Sequence, residues 1–268
     1  KLKEVRLFLK ETELPAWHPP QKKGFFRHIV VRKSFLNNQL LINLVTSNEG
    51  LDQFDIAAFG KFLQDLHPGR IAGLWHTVND NVADRAKIEN GHSQLIFGQS
   101  VIEEELAGLR FQISMESFFQ TNPACAELLY DKALDYLFED PFEPGDIAMD
   151  LFCGTGTIGQ LMASRNPNVR IIGVDIVEKA IEDAKENAAK NGIQSVEFYA
   201  ADVGKFLRDY PDFQGKIKRI MLDPPRAGIA PKTLQKVIKE EGKNSPMAKT
   251  IVKLKNSKEF NYLVDTDR

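Results

Sequence analysis

Four aspartates in the second half of this chain each follow an apolar run of strand type. Asp150 follows Ile147-Ala-Met, Asp175 follows Val169-Arg-Ile-Ile-Gly-Val, Asp202 closes Val196-Glu-Phe-Tyr-Ala-Ala, and Asp223 follows Lys218-Arg-Ile-Met-Leu. Core packing gives no reason for an acid at four successive strand ends, whereas ligands of open α/β sheets bind outside the carboxyl ends of the strands. Beyond Asp150 comes Gly154-Thr-Gly156-Thr157-Ile-Gly159, a turn whose glycines let backbone N–H groups approach a ligand where a Cβ would collide with it. The combination reads as a nucleotide-cofactor site, with Asp175 placed to accept hydrogen bonds from ribose hydroxyls.

Two cofactor classes fit these glycines. Gly154-Thr-Gly156 with Gly159 matches the dinucleotide fingerprint G-x-G-x-x-G, which keeps a nicotinamide cofactor as an alternative. Dehydrogenases usually carry an apolar residue or another glycine where this chain has Asp150. An acid there resembles the first motif of class I S-adenosylmethionine-dependent methyltransferases, and Asp202 then falls where such enzymes hold the adenine.

The elements that must position these residues divide the chain near residue 120. At 268 residues, 43% hydrophobic and 27% charged, there is room for two globular domains of ordinary composition. No apolar run reaches the ~18 residues of a membrane span, and Lys1-Leu-Lys-Glu has no signal-peptide shape. Cys125 and Cys153, the two cysteines, supply neither a disulfide framework nor a zinc or iron–sulfur spacing. No metal is expected, and a reducing cytoplasm is the expected setting. The net charge of −2 argues against a strongly basic coat but leaves room for a local basic patch.

Residues 1–119 are read as a small α+β domain. Its predicted elements are strands at Phe26–Arg32 and Gln39–Val45 around an Asn37-Asn38 turn, a helix over Leu51–Leu66 stopping at His67-Pro-Gly69, a strand from Arg70, and a hairpin about Ala107-Gly108. Residues 120–268 are read as a Rossmann-like α/β domain, with a helix from Pro123 to about Phe138 and strand–helix alternation from Ile147, which implies a parallel sheet with right-handed crossovers.

Two further groups bear on function. Ser117-Phe-Phe-Gln120-Thr-Asn122-Pro closes the small domain. Its amides serve either as turn and capping groups or as contacts to a cofactor or planar heterocycle. Lys22, Lys23, Arg27, Arg32 and Lys33 are interleaved with Phe25, Phe26 and His28. This cluster is either a solvated strand face or an RNA-binding surface that tracks phosphates and stacks bases on its aromatics.

Ser-Phe-Phe-Gln-x-Asn, Asp-Leu-Phe-Cys-Gly-Thr-Gly-Thr-Ile-Gly, Gly-Val-Asp and Asp-Pro-Pro-Arg-Ala-Gly, in this order and spacing, resemble the RNA uracil-5-methyltransferase family. That family makes 5-methyluridine in tRNA and in large-subunit ribosomal RNA, and the similarity runs from about Phe25 to Ile238. The resemblance implies that Gln120, Phe152, Asp175 and Asp202 contact S-adenosylmethionine, with Thr157 and the loop glycines Gly154 and Gly156 beside them. It places Asp223 between the methyl donor and a flipped uracil, accepting the N3–H, and gives Arg226 a loop or a phosphate to hold. The expected partner is rRNA or tRNA, with the ribosomal branch the nearer in motif, and a monomer is expected.

Uracil C5 is too weak a nucleophile to attack a sulfonium unaided. The family adds a cysteine thiolate at C6 and later removes the C5 proton with a glutamate. The Ser-Cys-Asn-Pro segment that carries this cysteine has no counterpart here. The strand expected to hold it, Lys249–Val252, runs on into Lys253-Leu-Lys-Asn-Ser-Lys. The resemblance also implies a seven-stranded sheet, so the last strands are expected to lie outside these residues. Three hypotheses follow: a uridine-C5 methyltransferase whose nucleophile lies elsewhere, a cofactor- and RNA-binding module that performs no transfer, and a methyltransferase acting on nitrogen or oxygen. An arginine after Asp223-Pro-Pro, where amino-methyltransferases carry an aromatic residue, counts against the third.

Overall fold

A computed structural model describes residues 1–81, 92–213, 215–224, 228, 229, 231, 233, 234 and 237. The chain forms two compact units, Lys1–Pro123 and Ala124–Arg268. The division falls just beyond the expected 119/120 boundary and assigns Gln120 and Asn122 to the first unit. No helix among the described residues is long and apolar enough to cross a membrane.

The N-terminal unit contains α1 (Leu2–Glu11), β1 (Phe26–Lys33), β2 (Leu40–Thr46), α2 (Ile56–Leu66), β3 (Ile71–Val78), β4 (His92–Gly98), β5 (Val101–Leu106) and β6 (Leu109–Ser114). Its mixed sheet has the order β1-β2-β3-β4. β1 and β4 run antiparallel to their neighbours, and β2 and β3 are parallel. β2 is buried at every position, as its nearly unbroken apolar sequence requires of a strand covered on both faces. The helix expected over Leu51–Leu66 is two elements, a 3-10 turn at Leu51–Gln53 and then α2. The break is made by Asp55, whose carboxylate accepts the Ala58 N–H at 2.9 Å and so fixes the start of α2 at Ile56.

α1 was not foreseen, because its basic residues mask an apolar i, i+3, i+4 face. That face is Val5, Phe8 and Leu9, which pack on the unit's core, with the Phe8 ring 4.5 Å from Phe62. The β5–β6 hairpin turns at Ala107 and Gly108, both with positive φ, the signature of the tight turn whose twist matches its strands.

The C-terminal unit alternates α3 (Pro123–Leu137), β7 (Ile147–Leu151), α4 (Thr157–Arg165), β8 (Arg170–Asp175), α5 (Glu178–Lys190), β9 (Val196–Ala200), α6 (Val203–Asp209) and β10 (Ile217–Leu222). The strands are all parallel, in the order β10-β7-β8-β9, which is the Rossmann-like arrangement read from the alternation. Met149, Leu151, Ile172, Val174, Phe206 and Ile220 fill its core. The chain steps outward from β7 through β8 to β9 and then returns to the other side of β7. That reversal places the topological switch point, where α/β sheets bind ligands, at the carboxyl ends of β7 and β10. Arg226 and the strand expected at Lys249–Val252 lie outside the described residues.

Candidate functional site

The switch point is braced from below by Asp150. Its side chain is fully buried within β7, and its Oδ2 accepts the Gly159 N–H of α4 at 2.8 Å. A Cβ on Gly159 would lie 3.2 Å from that oxygen, so the glycine lets the carboxyl reach the helix backbone. Burial pushes the Asp150 carboxyl up to about 7, against the Gly159 hydrogen bond, and the charges of Asp223 and Asp175 raise it further. Asp150 is therefore an internal strut, whereas the sequence pattern grouped it with the ligand-facing strand ends.

Above it the loop is shaped by backbone strain and by one carboxylate. Phe152 is held at φ 66°, a costly conformation for a residue with a Cβ. Its N–H and that of Cys153 both donate to the Val174 carbonyl, at 2.8 and 3.1 Å. Asp175 ties two loops together: Oδ2 accepts the Gly154 N–H and Oδ1 accepts the Val177 N–H, each at 2.9 Å.

The loop glycines have different reasons for being glycine. Gly154 has φ 53°, and a Cβ there would meet nothing within 4 Å, so open space lies beside it for a ligand. Gly156, at φ 74° and capping α4, would place a Cβ 2.5 Å from the Phe198 ring. Gly173 would do the same at 2.4 Å. Phe198 therefore occupies the space under the loop, and Gly156 is required by packing rather than by the ligand approach expected of it. Thr157 is half-buried in the first turn of α4, among N–H groups that have no intrahelical acceptor.

Immediately after Asp175, Ile176 is 68% exposed, and Val177 beside it is exposed as well. Sequence reasoning passed over this pair. Its signal is an apolar dipeptide between a strand-end acid and the start of a helix, which offers an apolar surface beside the Asp175 carboxylate. Asp202 caps α6 through Oδ1, accepting the Lys205 N–H at 2.9 Å, and the residue is exposed. Asp223 follows the Leu222↔Leu151 pair at the ends of β10 and β7, and desolvation holds its carboxyl above the usual range. The structure thus brings Phe152, Gly154, Asp175 and Asp223 to one end of one sheet, where an apolar shelf, the open space beside Gly154 and carboxylates fit a ribose-bearing cofactor. Among the described residues no group of three potential metal ligands occurs.

Cys153 lies buried under the loop, where burial and the charges of Asp150 and Asp175 push its thiol well above the ordinary value. It is protonated at neutral pH and is not a nucleophile. Cys125 is exposed in the first turn of α3.

In the N-terminal unit the predicted basic and aromatic surface is largely consumed by the fold. Phe25 is 1% exposed and Phe26 packs edge-on against Phe54, so neither ring is available to a base. Arg27 Nη1 donates to the Asn79 carbonyl at 2.6 Å, and its guanidinium lies 4.0 Å from the Trp17 ring centroid. Arg32 donates through Nε and Nη2 to the Met115 carbonyl, at 3.2 and 3.0 Å, and through Nη2 to that of Ser117. Burial lowers its pKa. These arginines satisfy loop carbonyls, as buried polar groups must be satisfied. Lys22 and Lys23 are exposed. Gln120 is half-buried and lines a cavity of this unit with Arg32 and Phe118, so its assignment to the cofactor rests on the motif alone.

Comparison with known proteins agrees with the sheet. A family model described as a methyltransferase domain matches residues 142–258. The chain is 35% identical over 233 residues to an uncharacterized RNA methyltransferase of Clostridium tetani, covering 87% of this chain and 48% of that protein. It is 37% identical over 243 residues to one of Clostridium acetobutylicum, covering 89% and 50%. The chain thus spans about half the length of the curated relatives it matches. Among solved structures, a Pyrococcus abyssi tRNA (uracil-54, C5)-methyltransferase in complex with S-adenosyl-L-homocysteine superimposes with a TM-score of 0.62 at 25% identity, over 89% of this chain and 54% of that one. The Rossmann-like unit is a methyltransferase fold and its cofactor is S-adenosylmethionine, and over most of its length the chain is similar to proteins described as RNA methyltransferases.

Proposed function

We propose that the protein methylates C5 of a uridine in rRNA or tRNA. The observation that carries this reading is the likeness to a uracil-C5 tRNA methyltransferase over 89% of the chain, joined to an Asp223-Pro-Pro-Arg226 run that begins at the switch point. S-adenosylmethionine supplies an electrophilic methyl group when bound. Asp175 accepts its hydroxyls, Ile176 and Phe152 supply apolar contact, and Asp202 and Gln120 complete the cofactor set by resemblance. Asp223 accepts the N3–H of uracil, a hydrogen bond that cytosine, lacking that proton, does not offer. Lys22 and Lys23 contact phosphate, and Arg27 and Arg32 act indirectly by holding their loops.

Transfer to C5 requires a thiolate at C6. Cys153 is buried and protonated, and the resemblance places no nucleophile at Cys125. These 268 residues alone are expected to bind cofactor and RNA and to depend on a thiolate from outside them. The same thiol inventory favours a second reading, a cofactor- and RNA-binding module without transfer. The two separate in an assay with RNA tritiated at uridine C5, using protein purified from its native source. Methylation at C5 expels the tritium into water, whereas methylation at nitrogen or oxygen retains it. Stoichiometric release supports the proposal, incorporation of methyl without release contradicts it, and neither incorporation nor release favours the binding module.

A further inference from the structure

One cavity of the N-terminal unit, about 490 Å³, gathers the exposed apolar side chains Val31, Phe35 and Phe118 around Lys33. Phe35 is 59% exposed and Phe118 is 70% exposed. A phenylalanine left in water forgoes the gain of burying it, so the Phe35 ring on this cavity asks for an occupant. The Phe35 ring is held outward by its backbone. The carboxylate of Glu104, itself buried, accepts the Phe35 N–H at 2.6 Å and the Leu36 N–H at 3.0 Å. The turn is closed by the Ser34 N–H on the Gln39 carbonyl at 2.9 Å and by the Asn37 N–H on Ser34 Oγ at 3.2 Å. The Lys33 ammonium lies 4.5 Å from the Phe35 ring centroid.

We propose that this cavity binds an unpaired RNA nucleotide, its base stacked against Phe35 and its phosphate on Lys33. The inference rests on the RNA reading above and adds a site for a nucleotide other than the methylated one. A fixed exposed ring beside a cation matches what single-stranded RNA presents, a π-face and a charge on each residue. A paired base keeps its faces within the helical stack, so a duplex has nothing to insert. Arg32 lines the same cavity, but its guanidinium is already engaged by the Met115 and Ser117 carbonyls. The phosphate contact therefore falls to Lys33.

Fluorescence anisotropy with a fluorescein-labelled single-stranded RNA of about twelve nucleotides, and with its duplex, tests the proposal. Phe35→Ala is expected to weaken single-strand binding roughly tenfold or more, while Phe35→Trp retains it. Lys33→Ala is expected to weaken binding and to reduce the salt slope by about one. Duplex binding should not change, and thermal melts of these surface variants should match wild type. Single-strand affinity within about twofold of wild type for both Phe35→Ala and Lys33→Ala, against the expected stacking loss, would overturn the inference. Equal losses for single strand and duplex would overturn it as well. The readout is equilibrium binding, so a failed uridine-C5 assignment leaves this test standing, and 5-methyluridine formation with unaltered Phe35→Ala binding sinks the cavity alone.

Discussion

Asp150 in β7 and Gly159 in α4 are joined by a 2.8 Å hydrogen bond from the glycine N–H to the buried carboxyl. Burial pushes that carboxyl up to about 7, far above the usual aspartate range. The folded chain therefore keeps a proton that the unfolded chain has lost, and stability falls as pH rises from about 4 to about 7. The loss attributable to Asp150 is on the order of a few kcal/mol. Asp150→Asn, which keeps an acceptor for Gly159 and cannot ionise, is expected to flatten the slope, as urea denaturation across this pH range would show. An unchanged slope would mean that Asp150 does not titrate there.

The glycines of the loop are expected to separate stability from affinity. Gly156→Ala drives a methyl into Phe198 at a positive φ and should lower stability by about 2–4 kcal/mol. Gly154→Ala meets open space, so its stability cost is the conformational one, about 1–2 kcal/mol, but the methyl enters the proposed cofactor space. Calorimetric titration with S-adenosylhomocysteine should show affinity loss for Gly154→Ala beyond what its melting curve explains.

Asp175 joins an observed structural role to its proposed contact with the cofactor hydroxyls. Asp175→Ala removes a hydroxyl acceptor and frees the Gly154 and Val177 N–H groups, so cofactor affinity should drop about 10–100-fold with a measurable fall in melting temperature. Ile176→Ser is the control. Its side chain is already exposed, so affinity should fall while the melting temperature stays put.

The arginines and lysines of the N-terminal unit should behave oppositely. Arg32→Met strips the Met115 and Ser117 carbonyls of their donors and is expected to destabilise by about 1–3 kcal/mol. Lys22→Ala with Lys23→Ala should leave melting unchanged and lower RNA affinity, with a shallower salt dependence. Equal RNA losses from both sets at matched stability would restore the arginines to the RNA surface.

What the sequence disclosed follows from what its signals encode. Parallel strands buried on both faces announce themselves as apolar runs, so β7 to β10 and their order of chemistry were legible, as was the Ala107-Gly108 hairpin. The reach of a side chain is not encoded in that way. Asp150 and Asp175 look alike at strand ends, and only the pleat decides that one points into the core and the other toward the loops. Arg27 and Arg32 read as solvent-facing cations because the carbonyls they satisfy lie far along the chain. Glu104, which fixes Phe35 outward, is about seventy residues from it in sequence, and no local pattern links them.

The central claim is most directly tested by nucleoside mass spectrometry of rRNA and tRNA from cells with and without the gene. The account predicts that one 5-methyluridine disappears on deletion and returns with the wild-type gene but not with an Asp223→Ala copy. Loss of a different methylated nucleoside, or an unchanged set of methylated nucleosides, would contradict it.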